Sequence, residues 1–446
     1  MRDLLIVGIV LICAVWALRR PWIGVMLWTW LSIMNPHRYA WSFAYDAPLA
    51  AIAAASTLLG LLMTKDRQSP FQGAPTVLLF LFVLWMTVSW LMGYDVAGDY
   101  SQWDRSIKIY LMTFIALALL YTKHHIIAFA WVTAGSLAIL GAKGGLFTIL
   151  TAGNHRVWGP TASFIADNNS FALALIMTIP LLRFLQLQLE SKLYRMGMWG
   201  VIVLCAAAAI GSHSRGALLA IAAMTAMFWW RSERNKLGIG ALILLGIFIA
   251  LPMMPEHWWD RMQTIRTYEE DDSAMGRFNA WIVAWEVAKA NFFGGGMSYQ
   301  HQAYFMMYGV YETIVRAAHS NYFQILGNHG FVGLFIYLAL WIATYRTAGW
   351  LRKNGKQYPE AKWTSELGAM VQVSLVGYAV GGAFLSLPYF DLPYNMMVMV
   401  VLAKKWVELR RWETEPQVPF LEYVGLKRRK VPADNRQNPV SPAGRR

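Results

Sequence analysis

Cysteine is nearly missing: Cys13 and Cys205 are the only two among 446 residues, and both sit inside apolar runs. That excludes a disulfide framework, a cysteine-ligated zinc site and an iron–sulfur cluster. Charge is scarce too. Asp, Glu, Lys and Arg make up 14% of the chain and hydrophobic residues 57%, against about 25% charged in a soluble domain. The length alone would suit two or three soluble domains. The composition excludes them and makes lipid the solvent for most of the chain. Basic residues outnumber acidic ones 39 to 25, a net charge of +14. In so apolar a chain the excess reads as basic loops and a basic tail on anionic membrane lipid, not as a nucleic-acid surface. Familiar chemical signatures are absent as well. There is no Walker motif, no dinucleotide fingerprint, no Gly-x-Ser-x-Gly, no Asp-x-Asp and no His-Glu-x-x-His, so no metal ligand set and no cofactor are expected.

Apolar runs long enough to cross a bilayer dominate instead; a helix needs about 20 mostly apolar residues to do so. Thirteen segments are candidate spans, the first two of them short: near 4–18, 21–34, 47–63, 74–92, 107–121, 126–150, 170–187, 197–211, 215–230, 237–252, 331–345, 367–386 and 393–408. The first two are split by Arg19-Arg20-Pro21, so they form either one broken element or two spans. No small-x-small cleavage site follows the first, which reads as a retained span. The expected architecture is an all-α polytopic membrane protein with 12 or 13 transmembrane helices. Residues 1–252 carry spans with short loops, 253–330 form one large loop, 331–408 carry the last spans and 409–446 form a basic, disordered tail.

Lys and Arg set the orientation. The connections near 19–20, 64–73, 122–125, 183–195, 231–236 and 346–362, with the segment 404–446, hold 27 of the 39. This set is read as cytoplasmic. Loops 93–106, 151–169 and 253–330 then face outward. A loop as long as the last is uncommon unless functional. Within it, 274–290 reads as an amphipathic helix with Ser273 as N-cap and Phe278, Trp281, Ile282 and Trp285 on one face. Such a helix suits a lid on the membrane surface. The acidic run Glu269–Asp272 reads as solvated loop.

Charged groups at membrane depth are costly and mark function or pairing. Arg215 stands in Gly211-Ser212-His213-Ser214-Arg215-Gly216 between two apolar runs. It is either a snorkelling helix-end residue or a guanidinium aimed at an anion beside a helix N-terminus. Arg277 starts the amphipathic helix, and Arg316 and Arg156 are similar outward-facing cations in weaker context. Lys143, inside an apolar run, is a snorkelling residue or a second anion contact. His319 lies where the large loop re-enters the membrane, three residues after Arg316, a place that suits a base or an acceptor-orienting group. His213 and His329 are secondary candidates. Asp167, Asp260, Glu286 and Glu312 stand in reserve as bases.

Together these segments resemble a known family. Ser212-His213-Ser214-Arg215-Gly216-Ala217, Gly276-Arg277 with Trp281, Gly294-Gly295-Gly296, and His319-Ser320-Asn321-Tyr322-Phe323 leading to Gly330-Phe331-Val332-Gly333 are similar in order and placement to the motifs of the O-antigen ligase / O-antigen polymerase family. The stretch 159–169 resembles its exosortase-associated O-glycosylation ligase subgroup. Many members read His-Asn-x-Tyr where this chain has His319-Ser320-Asn321-Tyr322, which shifts the amide by one place.

The resemblance implies a fold like that of lipid-dependent (GT-C-like) glycosyltransferases in the bacterial inner membrane, with the active site facing the periplasm. It implies metal-independent, inverting transfer of a glycan from undecaprenyl diphosphate to an acceptor hydroxyl: lipid A–core oligosaccharide in ligases, another lipid-linked glycan in polymerases, or a protein hydroxyl in related members. Arg215 and Arg277 would hold the diphosphate and His319 would serve the acceptor, with Arg156, Lys143, Arg316, Asn321 and Tyr322 as secondary contacts. Two other classes compete. A transporter would carry paired ionisable residues deep in its spans or an inverted repeat. A metal-dependent oligosaccharyltransferase would continue Trp258-Trp259-Asp260 with Tyr-Gly, where this chain has Arg261-Met262.

Overall fold

The computed structural model describes residues 1–231, 272–311 and 315–415. Its regular elements there are all helical: α1 (Arg2–Arg19), α2 (Pro21–Met34), α3 (Leu49–Met63), α4 (Ala74–Leu91), α5 (Tyr100–Leu119), α6 (Lys123–Leu150), α7 (Asn168–Leu187), α8 (Lys192–Gly211), α9 (Arg215–Arg231), α10 (Asp272–Ala290), α11 (Gln302–Tyr308), α12 (Asn321–Asn354), α13 (Lys362–Gly381) and α14 (Asp391–Glu408), with short 3₁₀ turns between some of them. Twelve of the thirteen predicted apolar segments are helices here. The thirteenth, 237–252, lies outside the described residues, as do Glu269–Asp271, the Trp258-Trp259-Asp260 stretch and the tail beyond Glu415.

Among the described residues five helices, α4, α6, α7, α8 and α12, are long and apolar enough to cross a membrane by length and composition, and α2 and α3 are shorter apolar helices. The chain is an all-α polytopic membrane protein. Local chemistry sets the helix ends. Pro21 has no N–H to donate to a preceding turn, and Arg20 is extended beside it (φ −135°, ψ 80°), so α1 and α2 are two helices rather than one broken one. Asp167 caps α7 by accepting from the Asn169 and Ser170 amides at 3.0 Å.

Three expectations need correction. Ser273 is inside α10, which already runs from Asp272, so it is not the N-cap. The last ten residues of the expected loop are also helical, from Asn321 in α12, and the span expected from 331 follows them directly. Gly330 interrupts α12 (φ 67°, ψ −173°). The cause is tertiary: the glycine run 294–296 crosses the helix there. The Gly295 and Gly296 amides donate to the carbonyls of Gly327 (2.8 Å) and Asn328 (3.0 Å). A Cβ on Gly294 would come within 2.5 Å of the Asn328 oxygen, so side chains are excluded from the crossing. The carbonyls freed by the kink thus keep partners, as a membrane interior requires. Finally, α10 carries apolar residues on two opposite sides rather than on one face. Ala280, Val283, Ala284 and Val287 are buried in the cluster that also holds Tyr299 and Phe305, while Phe278, Ile282 and Trp285 stay exposed on the other side.

The connections gather at two ends of the bundle. At one end, Gln68 donates to the carbonyls of Leu117 and Leu120 (3.1 and 3.0 Å), Lys123 N donates to Glu415 (3.2 Å), and Tyr358 lies against Trp412. At the other lie the 92–99, 151–167, 211–215, 294–301, 315–320 and 382–390 segments. There Tyr94 N donates to Gly295 O (3.3 Å) and Val157 N to Gly211 O (3.1 Å).

Candidate active site

The site is built at that second end, from segments far apart in the chain. The turn between α8 and α9 is tied to the 151–168 loop. Asn168 Nδ2 donates to Ser212 O (2.7 Å), and His213 Nε2 is 2.9 Å from Gly153 O. His213 takes a left-handed φ of 57°, and the Ser214 hydroxyl accepts from Ala217 N at 3.2 Å, capping the first turn of α9. Arg215 is therefore fixed as the first residue of α9, where the helix dipole favours an anion nearby.

The next residue, Gly216, abuts the turn after α13. A Cβ there would stand 3.1–3.3 Å from Phe384 and Leu385. The same turn holds the start of α12. Asn321 N donates to Gly382 O (2.7 Å), and Asn321 Oδ1 accepts from Leu387 N (2.6 Å). The Tyr322 hydroxyl donates to Ala379 O at 2.6 Å. One turn, 382–387, thus brings the start of α9 and the start of α12 together.

Helix α10 closes the third side. Trp281 Nε1 donates to Ala318 O (2.7 Å), and its ring stacks on Phe323 at 4.8 Å with 7° between planes. The Arg316 side chain lies over Gly276: a Cβ on that glycine would meet Arg316 Cδ at 2.9 Å. Arg316, from the 315–320 segment, thereby lies against α10 at the residue before Arg277.

His319 stands between these elements, half-buried, with a left-handed φ of 46°. A residue without glycine's freedom in that region is uncommon and often marks function. Burial lowers its pKa below the ordinary histidine range. The positive charges of Arg277 and, less strongly, Arg316 push the same way, and Asp167 opposes them. The imidazole is therefore neutral at pH 7 and able to take a proton.

A pH prediction follows from these signs. If His319 acts as a base, activity falls on the acid side as the ring protonates, with a midpoint below the usual histidine pKa. Removing the cation in Arg277→Gln raises that midpoint. Removing the anion in Asp167→Asn lowers it. pH–rate profiles of the residual activity measure both, and shifts in the opposite directions would remove His319 as the titrating group.

The structure brings Arg277, Arg316, His319 and Asp167 together, with Arg215 across the 382–387 turn. Arg156 is exposed on the 151–167 loop. Lys143 is exposed on α6 with its ammonium 4.9 Å from the centre of the Tyr39 ring. The side chains of Asn321 and Tyr322 are engaged with backbone groups, so they position α12. His329 is deep in the bundle, its Nε2 2.8 Å from the Tyr389 hydroxyl. Glu286 pairs with Lys289 at 2.7 Å, and Asp260 and Glu312 lie outside the described residues. Among the described residues no group of three His, Cys, Asp or Glu side chains is arranged to hold a metal.

Sequence reasoning passed over two supports. Asp99 reads as an ordinary loop acid, yet its carboxylate accepts from the Met297 and Ser298 amides at 2.8 and 2.9 Å and pins the segment after the glycine run. The 382–387 turn carries no motif at all; only its contacts reveal it.

These features define the class: a multi-pass, all-α membrane protein with a cationic, histidine-bearing site at one end of its bundle. Residues 200–338, which include Arg215, Arg277, Arg316 and His319, match the O-antigen ligase family, and this match supports assigning the chain to that family. Residues 1–190 match a family of unknown function, DUF5935. No curated protein matches the chain.

Proposed function

We propose that this protein transfers a glycan from undecaprenyl diphosphate to an acceptor hydroxyl, lipid A–core oligosaccharide, on the periplasmic face of the bacterial inner membrane. The observation that carries the reading is the grouping of Arg277, Arg316 and a neutral His319 beside the α9 N-terminus of Arg215. An apolar groove of about 240 Å³ opens next to it, running from Asn321 and Tyr322 past Tyr337 and Trp341 to Tyr345. That groove suits the start of a prenyl chain whose diphosphate rests at the arginines.

In the reaction, the acceptor oxygen attacks the anomeric carbon. The bond from that carbon to the diphosphate oxygen breaks, and undecaprenyl diphosphate leaves with the electron pair. The hydroxyl proton passes to the His319 imidazole. Direct displacement inverts the anomeric centre. Arg215 and Arg277 meet the negative charge that grows on the leaving group, which supports a reaction without a metal ion.

The deciding experiment supplies purified protein and lipid-linked glycan with or without lipid A–core, in EDTA. Glycosylated lipid A–core supports the ligase. Lengthened lipid-linked glycan without a second acceptor makes it a polymerase, and dependence on added metal removes the arginine mechanism. The basic connections predict the orientation. A reporter fused after Glu360 is expected in the cytoplasm and one inserted at Asn154 in the periplasm. Both on one side would overturn the placement of the site.

A further inference from the structure

A larger pocket, about 830 Å³, lies at the opposite end of the bundle from His319, between the ends of α7, α9, α12 and α13. Its lining has two characters. Leu187, Phe228 and Met370 make an apolar wall. Arg231, Arg352, Lys353 and Lys356 surround the rest, with Glu366 the only carboxylate among the described residues of the lining. Arg231 is half-buried and held in place. Its Nη1 donates to Gln372 Oε1 (2.9 Å) and its Nη2 to the Tyr345 hydroxyl (2.8 Å). Both partners are neutral, so they orient the guanidinium without cancelling its charge. Glu366 is itself occupied, accepting from Gln188 Nε2 at 2.7 Å.

We propose that this pocket binds an anionic phospholipid. The phosphate would sit among the four cations and an acyl chain along the apolar wall. Two features favour a lipid over a soluble phosphate. The pocket lies at the ends of two helices, α7 and α12, that are apolar and long enough to cross the bilayer, so lipid reaches it laterally. A soluble anion also has no use for the apolar half. The excess of four cations over one carboxylate selects an anionic headgroup over a zwitterionic one, whose own cation would be repelled. The inference is independent of the glycan-transfer reading, because no residue lining this pocket lines the groove or belongs to the His319 site; only Tyr345, which orients Arg231, also borders the groove.

The test uses the full chain in detergent and native mass spectrometry, titrating phosphatidylglycerol or phosphatidylcholine. Phosphatidylglycerol is expected to bind at least about tenfold more tightly. A surface cation near an anionic lipid contributes about 1 kcal/mol, so Lys353→Gln with Lys356→Gln is expected to weaken phosphatidylglycerol binding by about 30-fold and leave phosphatidylcholine unchanged. Equal affinity for the two lipids, or an unaffected double variant, overturns the proposal. Displacement of phosphatidylglycerol by millimolar inorganic phosphate overturns it too, in favour of a soluble anion. Both lysines are exposed, so the double variant is expected to fold. Should it aggregate, the wild-type lipid comparison and the phosphate competition still decide.

Discussion

Replacing His319 with alanine is expected to slow glycan transfer by about 10²–10⁴-fold while leaving undecaprenyl diphosphate binding close to wild type. That range is typical of losing a general base. The acceptor hydroxyl has a pKa far above neutrality, so its attack is slow unless a group takes the proton as the new bond forms. His319 is held neutral by burial and by Arg277, which keeps it available for that proton. Its backbone is set from both sides, by the Trp281 bond to Ala318 O and the Asn321 bond to Gly382 O. The alanine variant therefore keeps the local frame. His319→Gln separates the two possible roles. Glutamine can orient a hydroxyl but cannot accept its proton at neutral pH. If glutamine restores full transfer, orientation is the whole role. If alanine abolishes donor binding, His319 belongs to the diphosphate site and the division of labour is wrong.

Arg215→Ala and Arg277→Ala are each expected to lower transfer about 10²–10³-fold, the usual cost of losing one fixed donor to a developing charge. The protein should still insert, since its spans are unchanged. Lysine at either position should rescue only partly, because an ammonium cannot reproduce the two-pronged guanidinium contact with a diphosphate. The two positions differ in one respect. Arg277 also lowers the His319 pKa, so its alanine variant should show a displaced acid limb, whereas Arg215→Ala should lose rate at every pH alike. Normal transfer by both variants would move the anion site to Arg316, which lies over Gly276 beside Arg277.

Hydropathy made the helices legible, because a chain of this composition has few ways to satisfy its backbone in lipid other than helix. Arg215, Arg277 and His319 stood out in the sequence as candidates. Each is a charged or titratable group beside an apolar run, where it is costly to keep without a reason. The helix face of Phe278, Ile282 and Trp285 was visible too, but its opposite face was misread. Small residues such as Ala280 and Ala284 say little about burial until a partner packs on them.

What the chain alone determined, then, was its solvent, its helices and a short roster of cations and one histidine, since these follow from local composition and from the cost of charge near lipid. The tertiary structure decided which of them meet. The turn 382–387 meets the start of α9 by packing against Gly216 and the start of α12 through one backbone bond and the Asn321 amide. Asp99 reaches 198 and 199 positions along the chain to the amides of Met297 and Ser298. The break at Gly330 comes from a glycine run crossing a helix more than thirty residues away in sequence. Long-range pairing of this kind leaves no periodicity in the sequence, so only packing in three dimensions places Arg277, Arg316 and Asp167 around His319.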